Sequence, residues 1–125
     1  MNHMQARHIL VVDDDPVIRA SIADILADEG FQVVEAEHGQ AAFRYLHLAP
    51  TRPAAILLDL MMPVMDGAAF RRQIQHDPQL RQIPIVVMTT SANAQQVHTL
   101  NPTAFLHKPF DYDSLVQTLR RVAGS

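Results

Sequence analysis

Five short apolar runs alternate with segments of helical periodicity along the chain. Apolar runs of this length, bounded by turn residues, are typical of strands that are buried on both faces of a sheet. The predicted strands cover residues 9–12, 31–34, 54–58, 83–88 and 104–107. Because each intervening helix carries the chain back across one face, consecutive strands pair in parallel. The alternation therefore predicts an α/β fold with one parallel sheet and helices on both faces.

The helices are predicted from apolar periodicity and from residues that start or stop a helix. The first follows Asp15-Pro16, carries Ile18 and Ile22 on its apolar face, and stops at Gly30. Further helices are predicted over 40–48, 68–75 and 92–100, and a last one that is capped by Asp113. The helix over 92–100 is the weakest of them, because it has few apolar residues and a proline follows it.

Composition limits the class of protein. A chain of 125 residues with 48% apolar and 18% charged residues is long and apolar enough for one domain with a real core. A formal charge of −3 argues against direct nucleic-acid binding. The chain has no cysteine and no apolar run near the ~20 residues that a membrane helix needs. We therefore expect a cytoplasmic protein with no membrane partner.

Polar side chains stand at the carboxyl ends of four of the five predicted strands. They are Asp13, Asp14, Asp59, Thr89 and Lys108. Taken singly, each is explained by turn chemistry, helix capping or a solvated surface. Together they matter, because open parallel sheets bind ligands outside the carboxyl ends of their strands. The pattern predicts one shared site at that edge of the sheet.

The residue types at this edge suit phosphoryl transfer. Three carboxylates repel one another unless a cation joins them, and hard oxygen ligands favour Mg²⁺. Lys108 lies two strands from Asp59, roughly 10 Å away at normal strand spacing, so only a long side chain could reach across. A carboxylate nucleophile, a metal, a hydroxyl and a lysine together indicate transfer of a phosphoryl group to an aspartate.

Four motifs, in their family order, resemble those of response-regulator receiver domains. They are Ile9 to Pro16, Leu58 to Gly67, Pro84 to Thr89, and Lys108-Pro109-Phe110. The resemblance covers residues 8–123 and implies one receiver domain over 1–125. It also implies the flavodoxin-like (βα)5 three-layer sandwich, a parallel sheet of order 2-1-3-4-5.

The resemblance implies a function and a metal site. Asp59 would accept a phosphoryl group from a histidine kinase or a histidine phosphotransfer protein. Mg²⁺, or Mn²⁺ in its place, would bind Asp14, Asp59 and the backbone carbonyl of Met61 directly, and Asp13 through a water. The domain would be a signalling protein, which catalyses only its own phosphorylation and dephosphorylation.

The same resemblance implies roles for the remaining residues. Thr89 and Lys108 would contact the phosphoryl oxygens, and Thr89 with Phe105 would switch conformation on phosphorylation. Met61 and Ser91 stand at positions that tune the lifetime of the phosphoryl group. The face of the fourth helix, fifth strand and fifth helix would control a downstream protein or output domain, and a homodimer is compatible with the resemblance.

The chain departs from the family between the fourth and fifth strands. Only eighteen residues separate Thr89 from Lys108, and Asn101-Pro102-Thr103 replaces the usual Gly-Ala turn. We expect a short fourth helix, and we expect the region 92–103 to be locally unstable until phosphorylation or partner binding orders it.

Two other interpretations remain open from the residues. Asp13 and Asp15 resemble the nucleophile loop of haloacid-dehalogenase-type phosphatases, which also use a threonine, a lysine and Mg²⁺. Those enzymes need further acidic ligands after the lysine, and helix capping explains Asp111 and Asp113 here. The other interpretation is a degenerate receiver that acts as a constitutive binding module, although the set of acidic, Thr and Lys positions is complete.

Overall fold

A computed structural model describes residues 8–60, 67–89 and 102–124. Its five strands form one sheet in the order β2-β1-β3-β4-β5, and every neighbouring pair is parallel. The strands are β1 (His8–Val12), β2 (Gln32–Ala36), β3 (Ala55–Asp59), β4 (Ile85–Thr89) and β5 (Ala104–His107). The predicted flavodoxin-like α/β sandwich and its strand order are confirmed.

Helices cover both faces of the sheet. They are α1 (Pro16–Asp28), α2 (Gly39–Leu48), α3 (Gly67–Gln75) and the C-terminal helix (Tyr112–Ala123), with a 3₁₀ turn at Leu80–Gln82. The helix predicted over 92–100 lies outside the described residues. Within the described part of the chain, no helix combines the length and the apolarity that a membrane crossing would require.

Two apolar clusters, one on each face, hold the three layers together. Alternate residues of the strands point to opposite faces, so Leu10 packs with α2 and α3 while Val11 packs with α1 and the C-terminal helix. Every residue of the central strands β3 and β4 is buried. A strand covered on both faces needs apolar side chains throughout, which is why these runs could be recognised in the sequence.

Strand β2 differs from its predicted range of 31–34. The Phe31 amide donates to the Leu26 carbonyl at 3.0 Å, and Gly30 adopts a positive φ of 96°. Phe31 therefore belongs to the end of α1, where a left-handed glycine lets the chain satisfy the last carbonyls of the helix. The strand itself continues to Ala36, which pairs with Val12.

The predicted cap of the C-terminal helix is wrong by two residues. Asp111 is extended, with φ −94° and ψ 174°, and its side chain accepts a hydrogen bond from the Ser114 amide. This backbone conformation is that of a capping residue, and the helix begins at Tyr112. Asp113 instead lies in the first turn, where a negative charge is favoured by the helix dipole.

Candidate functional site

The connection from β1 to α1 places two carboxylates at the edge of the sheet. The Asp13 amide donates to the Ala36 carbonyl, so Asp13 continues the pairing of β1 with β2. Its Oδ1 accepts a hydrogen bond of 2.9 Å from the Asp15 amide, which closes a tight turn around Asp14. Asp15 then caps α1 by accepting from the amides of Val17 and Ile18. The turn buries Asp13, at 1% exposed, and leaves Asp14 exposed.

Asp59 completes an acidic cluster with these two residues. It is the last residue of β3 and is 7% exposed. One carboxylate oxygen from each of Asp13, Asp14 and Asp59 lies within 4.8 Å of the others, and no second group of this kind occurs among the described residues. Asp13 Oδ2 is buried, and it has no hydrogen-bond partner among the residues that the structure describes. Burying a carboxylate oxygen without a partner lowers the stability of the fold unless a cation or a water molecule binds it.

Lys108 and Thr89 border Asp59 on its other side. Lys108 Nζ lies 3.4 Å from Asp59 Oδ1, and the Lys108 amide donates to the Thr89 carbonyl at 2.6 Å. Thr89 is the last residue of β4 and is 3% exposed. The lysine follows β5, two strands from β3, so its long side chain spans the width of β4.

The structure thus brings together the five residues found at strand ends in the sequence. The proposed switch residue Phe105 lies apart from them in β5, with its side chain 54% exposed. Met61 and Ser91, predicted to tune the phosphoryl lifetime, lie outside the described residues.

Sequence reasoning missed Arg19, on the first turns of α1. Its Nη1 donates to the backbone carbonyl of Asp13 at 2.6 Å, and its Nε donates to Glu35 Oε1 at 3.1 Å. The only signal in the sequence is an arginine one turn after the capping Asp15. That signal is weak, because exposed arginines are common on helices.

Sequence reasoning also placed Ile18 on the apolar face of α1, and this is wrong. Ile18 is 39% exposed and Val17 is 73% exposed. Ile18 borders a cavity of about 430 Å³ together with Lys108, Pro109 and Phe110. Ile18, Pro109 and Phe110 form an apolar patch beside Lys108, and the exposed Val17 precedes Ile18 in α1.

Comparison with known proteins agrees with this geometry. A family model for the response regulator receiver domain matches residues 9–120. Response regulator Rre1 from Synechocystis is 35% identical over 120 residues, which cover 91% of this chain and 50% of that protein. The chain spans about half the length of the curated relatives that it matches.

Two solved structures are similar over nearly the whole chain. The signal receiver domain of a histidine kinase from Syntrophus aciditrophicus has a TM-score of 0.88 at 31% identity, covering 95% of this chain and 91% of that one. The receiver domain of sensor histidine kinase PA1611 from Pseudomonas aeruginosa, solved with magnesium coordinated in its active-site cleft, also has a TM-score of 0.88 at 31% identity. It covers 97% of this chain and all of that one, 100%. The chain therefore belongs to the family of response regulator receiver domains, which act in two-component signalling.

Proposed function

We propose that this domain accepts a phosphoryl group on Asp59 from a histidine kinase or a histidine phosphotransfer protein, in a Mg²⁺-dependent reaction. One observation carries the proposal: Asp59 lies between a lysine ammonium at 3.4 Å and two further carboxylates within 4.8 Å. An acceptor in this position has a cation on one side and a cluster that needs a divalent ion on the other. Thr89 and Lys108 are the two further residues to which we assign contacts with the phosphoryl group.

The residues present fit a magnesium ion. The side-chain ligands are carboxylate oxygens, which Mg²⁺ prefers, and in the described part of the chain Asp13 Oδ2 has no hydrogen-bond partner. Asp13, Asp14 and Asp59 would hold Mg²⁺ or Mn²⁺, and the backbone carbonyl of Met61 remains a proposed ligand outside the described residues. When bound, the ion would offset the charge of the carboxylates and would stabilise negative charge on the phosphoryl oxygens.

The chain's own residues then have distinct roles. An Asp59 oxygen attacks the phosphorus of the donor phosphohistidine, the new P–O bond forms, and the P–N electron pair returns to the imidazole of the donor. The Lys108 ammonium stabilises the charge on the phosphoryl oxygens, and the Thr89 hydroxyl donates a hydrogen bond to one of them. Because Asp59 is only 7% exposed, the sheet edge limits the access of water to the product.

We assign the consequences of phosphorylation to the surface around β5. Phe105, 54% exposed, is a large side chain that β5 leaves uncovered. A movement of Thr89 on phosphorylation would be followed by a change of the Phe105 rotamer, and this change would alter the surface. A downstream protein, an output domain or a second copy of the chain would bind there. Met61 and Ser91 would set how long the phosphorylated form lasts, and an apolar Met61 favours slow hydrolysis.

Intact-mass measurement after incubation with acetyl phosphate and Mg²⁺ tests the proposal. The wild type should gain one phosphoryl group, Asp59→Asn should gain none, and a remote exposed acid change, Asp28→Asn, should behave as wild type. Omission of Mg²⁺ should abolish the gain. A phosphatase would instead turn the reagent over in an Asp13-dependent way, and a degenerate receiver would neither gain mass nor turn it over.

The apolar patch beside the site fits the phosphoryl donor. A protein donor must approach Asp59 closely, and the patch Ile18-Pro109-Phe110 is apolar surface next to Lys108, with the exposed Val17 next to Ile18 in the sequence. Replacing Val17 and Ile18 by serine should slow phosphorylation by a cognate kinase about tenfold or more, as expected for removing apolar contacts at an interface. Phosphorylation by acetyl phosphate should be unchanged.

The matched control is Leu48→Ser, since Leu48 is 77% exposed and lies at the far end of α2. It should affect neither reaction. Equal slowing by kinase and by acetyl phosphate would show that the serine changes damage the site and that the patch is not a docking surface.

A further inference from the structure

Arg19 connects three parts of the molecule that meet beside the acidic cluster. From α1 it donates through Nη1 to the Asp13 carbonyl at 2.6 Å and through Nε to Glu35 Oε1 at 3.1 Å. Glu35 belongs to β2 and pairs in register with Val11 of β1. The arginine side chain is 17% exposed, so most of it is enclosed by these contacts.

These contacts hold the backbone of the turn that carries the acids. The Asp13 carbonyl belongs to the peptide bond between Asp13 and Asp14. Its direction therefore sets where the Asp14 side chain projects. Asp13 Oδ1 is already committed to the Asp15 amide. With the carbonyl fixed by Arg19 and the side chain fixed by Asp15, neither end of Asp13 can rotate independently.

Glu35 determines the orientation of the guanidinium group. A guanidinium is a planar fork with donors in fixed directions, and the contact of Nε with a carboxylate directs Nη1 toward its second acceptor. A lysine in this position would have a single ammonium, which cannot reproduce the fork.

We propose that Arg19 is a positioning residue for the divalent-cation site, held in place by Glu35. The inference rests on the proposed function, because it assumes that Asp13, Asp14 and Asp59 bind Mg²⁺. Arg19 keeps the β1–α1 turn in the conformation that binds the ion, without contacting the ion itself. Residues that orient metal ligands from behind commonly change affinity by about 10- to 100-fold when replaced.

A purely electrostatic role predicts the opposite sign. Arg19 is a cation close to the site, so its removal lowers the repulsion felt by Mg²⁺ and should tighten binding. A role confined to fold stability predicts unchanged affinity in protein that is still folded. Loss of positioning alone weakens binding, so the direction of the change separates the three roles.

The experiment is isothermal titration calorimetry of the 125-residue chain with MgCl₂, at a temperature where circular dichroism shows each variant folded. Arg19→Gln should weaken Mg²⁺ binding about tenfold. Arg19→Lys should recover only part of the loss. Arg44→Gln, the same charge change at an exposed position of α2, should bind as wild type does.

Two changes at Glu35 test the fork from its other end and remain informative if Arg19→Gln does not fold. Glu35→Ala removes the acceptor for Nε and should weaken Mg²⁺ binding, whereas Glu35→Gln keeps an acceptor oxygen and should bind nearly as wild type does. Unchanged or tighter binding in both Arg19→Gln and Glu35→Ala would overturn the inference while leaving the proposed function intact. A wild type that binds no Mg²⁺ would overturn both.

Discussion

Two connections of this domain, β1 to α1 and β5 to the C-terminal helix, both place a charged side chain at the same edge of the sheet, but they hold it by different contacts. Each places a charged residue directly after a strand, Asp13 in one and Lys108 in the other. Each then ends in an aspartate that caps the following helix, Asp15 or Asp111. Both connections deliver charge to one edge of the sheet, and the helix that follows begins with a satisfied cap.

The two connections differ in how the charged side chain is held. Asp13 is short and buried, and hydrogen bonds within its own turn and from Arg19 fix it. Lys108 is long and half-buried, and it is fixed by strand register: its amide bonds to Thr89 and its ammonium crosses β4 to reach Asp59. A short ligand needs a rigid local backbone, whereas a long one needs only the correct strand order.

The largest expected effect comes from removing the lysine charge. Lys108→Met keeps the length and apolar stem but removes the ammonium beside Asp59, so phosphorylation by acetyl phosphate should slow by roughly two orders of magnitude. Stopped-flow or intact-mass time courses measure this rate. Mg²⁺ affinity should not fall, because removing the ammonium beside Asp59 lowers the repulsion felt by the ion. A rate within twofold of wild type would contradict the role assigned to Lys108.

Removing the buried carboxylate should change stability in the opposite sense to removing the lysine. Without Mg²⁺, Asp13→Asn should raise the free energy of unfolding by about 1–2 kcal/mol, because it replaces an unpartnered buried oxygen and relieves repulsion within the cluster. Lys108→Met should lower it, since Asp59 loses its cation. Urea denaturation in EDTA measures both.

Added Mg²⁺ supplies the control for this pair. It should stabilise the wild type by mass action and leave Asp13→Asn nearly unaffected. A lower stability of Asp13→Asn than of the wild type in EDTA would contradict the repulsion assigned to the acidic cluster.

The smallest effects are expected at the two caps. Asp15 accepts from two amides, so Asp15→Ala should cost about 1 kcal/mol of stability. Asp111 accepts from one amide of its helix, that of Ser114, and Asp111→Ala should lower the melting temperature less than Asp15→Ala does. Neither change should alter Mg²⁺ affinity by more than a few-fold, because the amide of residue 15 is retained. A larger loss in Asp111→Ala would reverse the comparison.

The Asp111 cap also has a defined pH dependence. The backbone hydrogen bond from Ser114 lowers the pKa of Asp111 below its ordinary value of 3.8 in the folded state. The unfolded chain therefore takes up the proton first, so the contribution of the cap is present above pH 3.8 and is lost as the pH falls through the folded pKa. An NMR titration of the Asp111 carboxyl carbon should show a midpoint below 3.8.

Much of the fold and the polar edge could be predicted because strand signals are local. Apolar runs such as 55–58 are recognisable without knowledge of their neighbours, and the residue after each run must lie at the sheet edge. The prediction that Asp113 caps the last helix is wrong, because capping depends on the backbone angles of one residue and Asp111 has them. The contacts of Arg19 could not be predicted, because Arg19 lies on α1 and its partner Glu35 lies sixteen residues away on β2.

By itself, the sequence determined the class of fold, the strand order through its family resemblance, and the set of polar residues delivered to one edge. The tertiary structure alone decided which of these residues touch, that one buried oxygen of Asp13 has no hydrogen-bond partner within the described ranges, and that Ile18 is exposed. The physical reason is that periodicity reports which face of an element is apolar. Distances between side chains depend instead on register, side-chain length and the hydrogen bonds of each turn.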